Sequence, residues 1–328
     1  MDTETEKIYV SELVQVTETT SSVAMEKLGF QRCMEKLKAC NVTVDLIATD
    51  RHCGIRALMK KEYPNIDHHF DVWHLSKTLQ KTLLAKSKTK SCEQPASWIQ
   101  AVSNHLWWSA HTCDKDPELL LEKFSSVVYH TANIHSWDTC NKFHRCEHPP
   151  IREDDEVEPA WLKLDSPAHN ALKDIVMDKR LLKDIRFLNR SCHTGSQEVF
   201  HGAMLKYCPK RQEFDFPNML ARTQLAIIDH NENSGRQQAV VRKGHKKGQK
   251  RYNVVFSKAS KKWVIKPIYE AKEYSFIYDL LMNAVAMKIG HLHVLPPVKK
   301  DLPQNIARVP KPSKAELVNT LKARFGKS

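Results

Sequence analysis

Asp50, Asp71, His74, Glu198 and His201 are the side chains whose types and spacing could do chemistry first. In TDRHCGIRALMKKEYPNIDHHFDVWHL, residues 49–75, Asp50 closes an apolar run, and Asp71-x-x-His74 follows a Tyr-Pro break. Later, in SQEVFHGAM, Glu198 and His201 stand three apart, a spacing that puts both on one face of a helix. Carboxylates brought to one point from separate elements hold hard cations such as Mg2+ or Mn2+. Two such ions can activate a water or hydroxyl and stabilise the leaving oxygen. Asp50 and Glu198 are the candidates for that pair. Plainer roles exist for both parts of the first stretch. Asp50 can cap a helix begun by RHCGIRALM, and His74 can be a strand-end histidine whose tautomer a bond to Asp71 fixes.

A second constellation gathers cysteine and histidine: His111, Cys113, His130, His135, Cys140, His144, Cys146 and His148. HTANIH supplies His-x4-His and CEH supplies Cys-x-His. Zn2+ takes four Cys or His ligands, in short-spaced pairs with a longer gap between them. Cys113, His130, His135 and Cys146 make one plausible set, with buried cysteines beside surface histidines as the alternative. The third feature is basic. Residues 236–268 carry eleven Lys and Arg and no acid. Arg242, Lys243, Lys246, Lys247, Lys250, Arg251, Lys261 and Lys262 are the candidate phosphate contacts, since Lys and Arg neutralise phosphates with little sequence preference. Tyr252 and Trp263 lie among them and could stack on bases, although strand aromatics more often pack in a core. A plain solvated surface is the alternative for the cations.

The elements that must position these residues follow from periodicity. KIYVSELVQV at 7–16 alternates as a strand does. Residues 19–40 carry a helical apolar stripe with Thr and Ser available as caps. VTVDLIATD is a strand ending at Asp50, CGIRALMKKEYP a helix stopped by Pro64, HHFDVWH a strand, and LSKTLQKTLLAKSK a basic helix. Alternation of this kind implies a partly parallel α/β sheet with crossover helices. Such sheets build sites at the carboxyl ends of their strands, where Asp50 and the Asp71/His74 pair fall. From about 90 to 190 helical periodicity dominates, tryptophan is frequent and an acidic loop, REDDEVE, interrupts. Helices then follow at CHTGSQEVFHGAMLKYC and PNMLARTQLAIIDHNENSGR. Two strands meet around a Ser-Lys-Ala-Ser turn, EYSFIYDLLMNAVAMKI is a last amphipathic helix, and the Pro- and Lys-rich tail is expected to be extended.

Composition narrows the classes. The 328 residues carry a formal charge of +13 with a pI near 9.2, which favours a polyanionic partner such as nucleic acid. There is no run of 18 apolar residues, so a membrane span is not expected. The opening MDTETEKIYV resembles neither a signal nor a transit peptide, and the nine cysteines are read as reduced thiols.

Asp50 followed about twenty residues later by Asp71-x-x-His74, with a helical insertion before a last acid, resembles the DDE transposases of the hAT and Mutator-like superfamilies. TDRHCGIRALMKKEYP…HHFDVWHLSKTL, SQEVFHGAMLKYCPKR and MLARTQLAIIDHNENSGR together resemble transposase-derived proteins of animal genomes, over about residues 5–285. The resemblance implies an α/β, RNase H-like mixed sheet with a large helical insertion, DNA as partner, a nuclear location, and Mg2+ or Mn2+ if the site is active. It makes Asp50 the second catalytic acid and Glu198 the third, with Asp71, His74 and His201 accessory. The first acid of that pattern has no counterpart here, since only Asp2, Glu4 and Glu6 precede the strand at 7–16. The expectation is therefore an N-terminally incomplete core without autonomous catalysis, whose open strand edges favour self-association. The expected divisions are 1–87 for the first part of the core, 88–190 for the insertion, and 191–235 for the second part. A basic hairpin and helix at 236–290 and a tail at 291–328 complete them.

Overall fold

The structure is a computed structural model that describes residues 1–90, 93–149, 161–258, 260–293, 312–324 and 326. The acidic stretch 152–158 and most of the Pro- and Lys-rich tail lie outside the described residues. The fold is mixed α/β and rich in helix, with two sheets of two strands each among the described residues. The chain divides into two compact units: Val42–Gly195, and Met1–Asn41 together with the segment from Ser196 onward. The expected boundary at 87/88 falls inside the first of these.

In the second unit, α1 (Ser22–Ala39) starts where Ser21 accepts a hydrogen bond from the Ala24 N–H, as the Thr/Ser cluster predicts. The strand expected at 7–16 is not formed. Residues 7–15 pair with no strand, and a 3₁₀ turn occupies Val16–Glu18. The reason is visible at Ile8, whose N–H donates to Asn231 Oδ1 (2.8 Å) and whose carbonyl accepts from Asn231 Nδ2 (2.9 Å). One side-chain amide thus satisfies the backbone groups that a neighbouring strand would otherwise engage.

The Val42–Gly195 unit opens with β1 (Leu46–Thr49), α2 (Cys53–Glu62), β2 (Asp67–Phe70) and α3 (Val72–Lys86). β1 and β2 pair in parallel, Leu46 opposite Asp67 and Thr49 opposite Phe70, with α2 as the crossover. The strand expected over HHFDVWH is therefore shorter. It stops at Phe70, because Asp71 turns to cap α3, accepting from the Trp73 N–H at 2.7 Å. The helical stretch follows as α4 (Pro95–His111), α5 (Pro117–Ser125), α6 (Val127–His130), α7 (Pro167–Val176) and α8 (Lys179–Ile185). One core runs through this unit, from Phe70, Val72 and Leu75 to Val102, Leu106, Phe124, Leu172 and Leu188. Between α3 and α4, buried Ser76 meets Ser103 at 2.6 Å, and Gln80 donates to the same Ser103 hydroxyl at 2.8 Å.

Beyond residue 195 come α9 (Gly195–Met204), α10 (Phe216–Asn233), β3 (Tyr252–Ser257), β4 (Lys262–Pro267), α11 (Ser275–Lys288) and α12 (Lys314–Arg324). Asp215 caps α10 through the Asn218 N–H at 2.9 Å. β3 and β4 form the expected antiparallel hairpin, with Tyr252 opposite Pro267 and Phe256 opposite Trp263. The described part of the expected extended tail contains a helix, α12. No described helix is long and apolar enough to cross a membrane.

Candidate metal centre and nucleic-acid surface

Asp50 stands where the sequence places it, immediately after β1, and is partly buried. It does not cap α2. That role belongs to His52, whose Nδ1 accepts from the Ile55 N–H at 3.0 Å. Its neighbour Arg51 pairs with buried Asp184 of α8, as does Arg56 at 2.9 Å, so this corner is fastened by structural ion pairs. Asp184 accepts from both guanidinium groups, which keeps its buried charge compensated.

Asp71 is fully buried and its two oxygens are engaged. Oδ1 takes the Trp73 N–H, while Oδ2 takes His74 Nδ1 at 2.7 Å and a very short hydrogen bond from the Thr194 hydroxyl. Burial pushes its carboxyl pKa upward, but the bonds from Thr194, His74 and the backbone together outweigh burial and hold it below its ordinary value. The pair is therefore the cap and first turn of α3 rather than the end of a strand. Asp71 orients His74, and Thr194 and the Val72 N–H to Cys192 carbonyl bond (3.2 Å) tie the same corner to the segment before α9. The tautomer-fixing bond is present, and Asp71 has no oxygen left bare for a cation.

Glu198 and His201 share one exposed face of α9, as their spacing predicts. They belong to one unit, whereas Asp50, Asp71 and His74 belong to the other.

The group of three or more Cys, His, Asp or Glu ligand atoms that does converge, among the described residues, contains neither Asp50 nor Glu198. It consists of His130, His135, Cys146 and His148, with all four ligand atoms within 4.8 Å of one another. Three of the four zinc candidates are in it. Cys113 is not: it is buried in the core, its thiol directed at the carbonyls of Ala110 (3.4 Å) and Asn189 (3.5 Å). Helix α4 and the turn after it carry Cys113 into that core, and His148 takes the fourth place. The signal for His148 was the Cys-x-His spacing of CEH, which sets two ligands close with no helical or strand constraint between them.

Local folding explains the convergence. His130 ends α6. A short antiparallel ladder then sets His135 beside Cys146: the Cys146 N–H donates to the His135 carbonyl (2.9 Å), Ser136 bridges Arg145, and the Trp137 N–H donates to His144 (2.8 Å). Trp137 also donates through Nε1 to Phe143 (2.7 Å) and stacks on Tyr129. Just before His148, Glu147 pairs with buried Lys123 at 3.0 Å, whose ammonium also donates to the Thr112 carbonyl and hydroxyl. His130 lies edge-on against Trp98 and Trp161. Burial, followed by the neighbouring histidines, lowers the His130 pKa to about 4, and burial with His148 lowers that of His135. Burial raises the Cys146 thiol.

The basic stretch is also where the sequence places it. Arg242, Lys243, Lys246, Lys247, Lys250, Arg251, Lys261 and Lys262 are all exposed, and Arg242 pairs with Glu270 at 3.0 Å. Of the two alternatives for the aromatics, stacking on bases or packing in a core, the core role is not the one they take. Tyr252, Phe256 and Trp263 are 54%, 51% and 71% exposed. Register puts them on one face of the hairpin with Val254 and Ile265, and Phe256 meets Trp263 edge-to-face at 5.6 Å.

No family model matches the chain, and no curated protein or solved structure matches it.

Proposed function

We propose that this protein is a transposase-derived, RNase H-like DNA-binding protein that carries no strand-transfer activity of its own. The observation that carries the DNA-binding half is the β3–β4 hairpin. It presents an exposed aromatic face between two groups of exposed cations, Arg242–Arg251 at one end and Lys261 and Lys262 at the turn. Cations at both ends neutralise phosphates, while aromatic faces stack on bases and a two-stranded ribbon is narrow enough for a major groove. Water-exposed aromatics that cost burial energy are best explained by a partner with π-faces and negative charge.

The transposase ancestry rests on Asp50, Asp71-x-x-His74 and Glu198 in their order, on the parallel β1–α2–β2 unit and on the helical stretch before Glu198. Support for inactivity comes from the acids themselves. Asp71, the accessory acid of the pattern, is engaged as the α3 cap by the Trp73 N–H, His74 and Thr194.

The test is duplex and single-stranded DNA binding by the full chain across a salt series. Affinity should fall steeply with salt. Replacing Lys246, Lys247 and Lys250 together by alanine should flatten the log–log salt slope by roughly 3. Salt-independent binding, or an unchanged slope in the triple variant, defeats the assignment and leaves a protein-interaction scaffold. Divalent-metal-dependent nicking abolished by Asp50→Asn or Glu198→Gln would overturn the claim of inactivity.

A further inference from the structure

We propose that His130, His135, Cys146 and His148 form a structural Zn2+ site that fastens residues 131–149 to the helical unit. Four features of the geometry point to it, and none depends on the transposase reading.

The first is scale. Tetrahedral zinc with bonds of about 2.05 Å to nitrogen and 2.3 Å to sulfur separates two nitrogens by about 3.3 Å, and nitrogen from sulfur by about 3.6 Å. His148 Nε2 lies 3.2 Å from His135 Nδ1, and Cys146 Sγ lies 3.6 Å from His130 Nδ1. Two opposite edges of the tetrahedron are thus already at coordination length. The remaining pairs lie within 4.8 Å, so closure requires movements of roughly 1 Å.

The second is ring placement. Imidazoles bound at that distance have centroids about 3.2 Å from the metal and therefore about 5.2 Å from each other. The three observed separations are 5.2 Å for His130–His135, 5.1 Å for His130–His148 and 5.0 Å for His135–His148. Interplanar angles of 77°, 76° and 87° splay the rings about a common point instead of stacking them.

The third is the protonation pattern that outer partners impose. His148 Nδ1 donates to the Pro149 carbonyl at 2.7 Å, which leaves Nε2 with its lone pair. His135 Nε2 donates to Asn133 Oδ1 at 2.9 Å, which leaves Nδ1 with its lone pair. These two lone pairs face each other across 3.2 Å. Two acceptors repel at that separation unless a cation lies between them. A carbonyl or amide oxygen on the far nitrogen is also the usual support of a metal-bound histidine.

The fourth is need. Between the end of α6 and residue 149 the regular pairing amounts to the Ser136–Arg145 bridge, among the described residues. A loop of this length with so little backbone pairing is the setting in which a metal supplies cross-linking energy. The donor set decides which metal: three imidazoles and one thiolate in a closed tetrahedron suit Zn2+, which has no geometric preference of its own and no redox chemistry to threaten the thiol. Four protein ligands leave no open position, so the site is structural and not hydrolytic.

The test uses the full chain. Purified protein should hold one equivalent of zinc by mass spectrometry, and exchange into Co2+ should give the visible bands of a tetrahedral ion with a near-ultraviolet thiolate charge-transfer band. Cys146→His should keep the metal but lose the charge-transfer band. His148→Ala should reduce bound metal to background, whereas Cys113→Ala should retain a full equivalent. Absence of bound zinc together with no cobalt spectrum in the wild-type protein overturns the proposal without reference to any variant. Retention of the charge-transfer band in Cys146→His would overturn the ligand set.

Discussion

In the Val42–Gly195 unit, Leu106, Phe124 and Leu172 are fully buried in a continuous core. In the unit formed by 1–41 and the segment from 196, the buried apolar cluster is Ile8, Phe200 and Ala226. Trp263, Ile265, Tyr278 and Leu281 there stand in solvent. In the first unit Trp98 packs against Trp161, and Trp137 is buried against Phe143. The second leaves Tyr252, Phe256 and Trp263 of its hairpin exposed among lysines. Side chains of the same chemical type are therefore enclosed by helices in one unit and exposed on a two-stranded hairpin in the other.

Core truncation should separate the units most sharply. Leu106→Ala should cost about 3 kcal/mol by urea unfolding, because a cavity adds to the lost transfer energy. Leu281→Ala should cost less than about 0.5 kcal/mol. Equal losses would break the contrast. Next in size is Asp71→Ala, which removes the α3 cap and leaves the Thr194 hydroxyl and His74 Nδ1 without their acceptor. It should cost about 2 kcal/mol, against about 1 kcal/mol for Asp215→Ala at the more open α10 cap.

A smaller effect is pH-dependent and should appear in both units. Burial raises the Asp229 pKa, but Lys272 at 3.0 Å and the Tyr207 hydroxyl outweigh it, so this carboxyl, like that of Asp71, sits below its ordinary value near 3.8. A depressed folded-state pKa contributes stability that is complete above the unfolded value and is lost as pH falls through the folded one. Stability should therefore decline below about pH 4, and Asp71→Asn should flatten that decline for the first unit alone. The smallest effect belongs to Trp263→Ala. It should leave the melting temperature within about 1 °C while weakening DNA binding several-fold, by the loss of roughly 1 kcal/mol of stacking. A large loss of stability would show the hairpin face to be packing surface after all.

Helices were readable because their signals are local. Ser21, in the Thr/Ser cluster ahead of an apolar periodic run, caps α1, and Pro64 closes α2. The hairpin was readable for the same reason, from alternation about a turn. At 7–16, alternation reports only that the segment can extend; whether a strand pairs with it is decided by what lies alongside, here the Asn231 side chain. In HHFDVWH, Asp71 can serve either a strand end or a helix cap, and only the Trp73 and Thr194 bonds choose.

The sequence by itself determined the charge, the helix-rich α/β character, the parallel β1–α2–β2 crossover and the concentration of cysteine and histidine between 111 and 148. Only the tertiary structure decided which of those ligands meet. Cys113 is carried into the core behind α4, while the His135–Cys146 ladder turns His148 back onto His130. The physical reason is that ligand spacing along a chain constrains distance only where the intervening backbone is regular. Across an irregular loop, convergence depends on the hydrogen bonds and packing that the whole unit supplies.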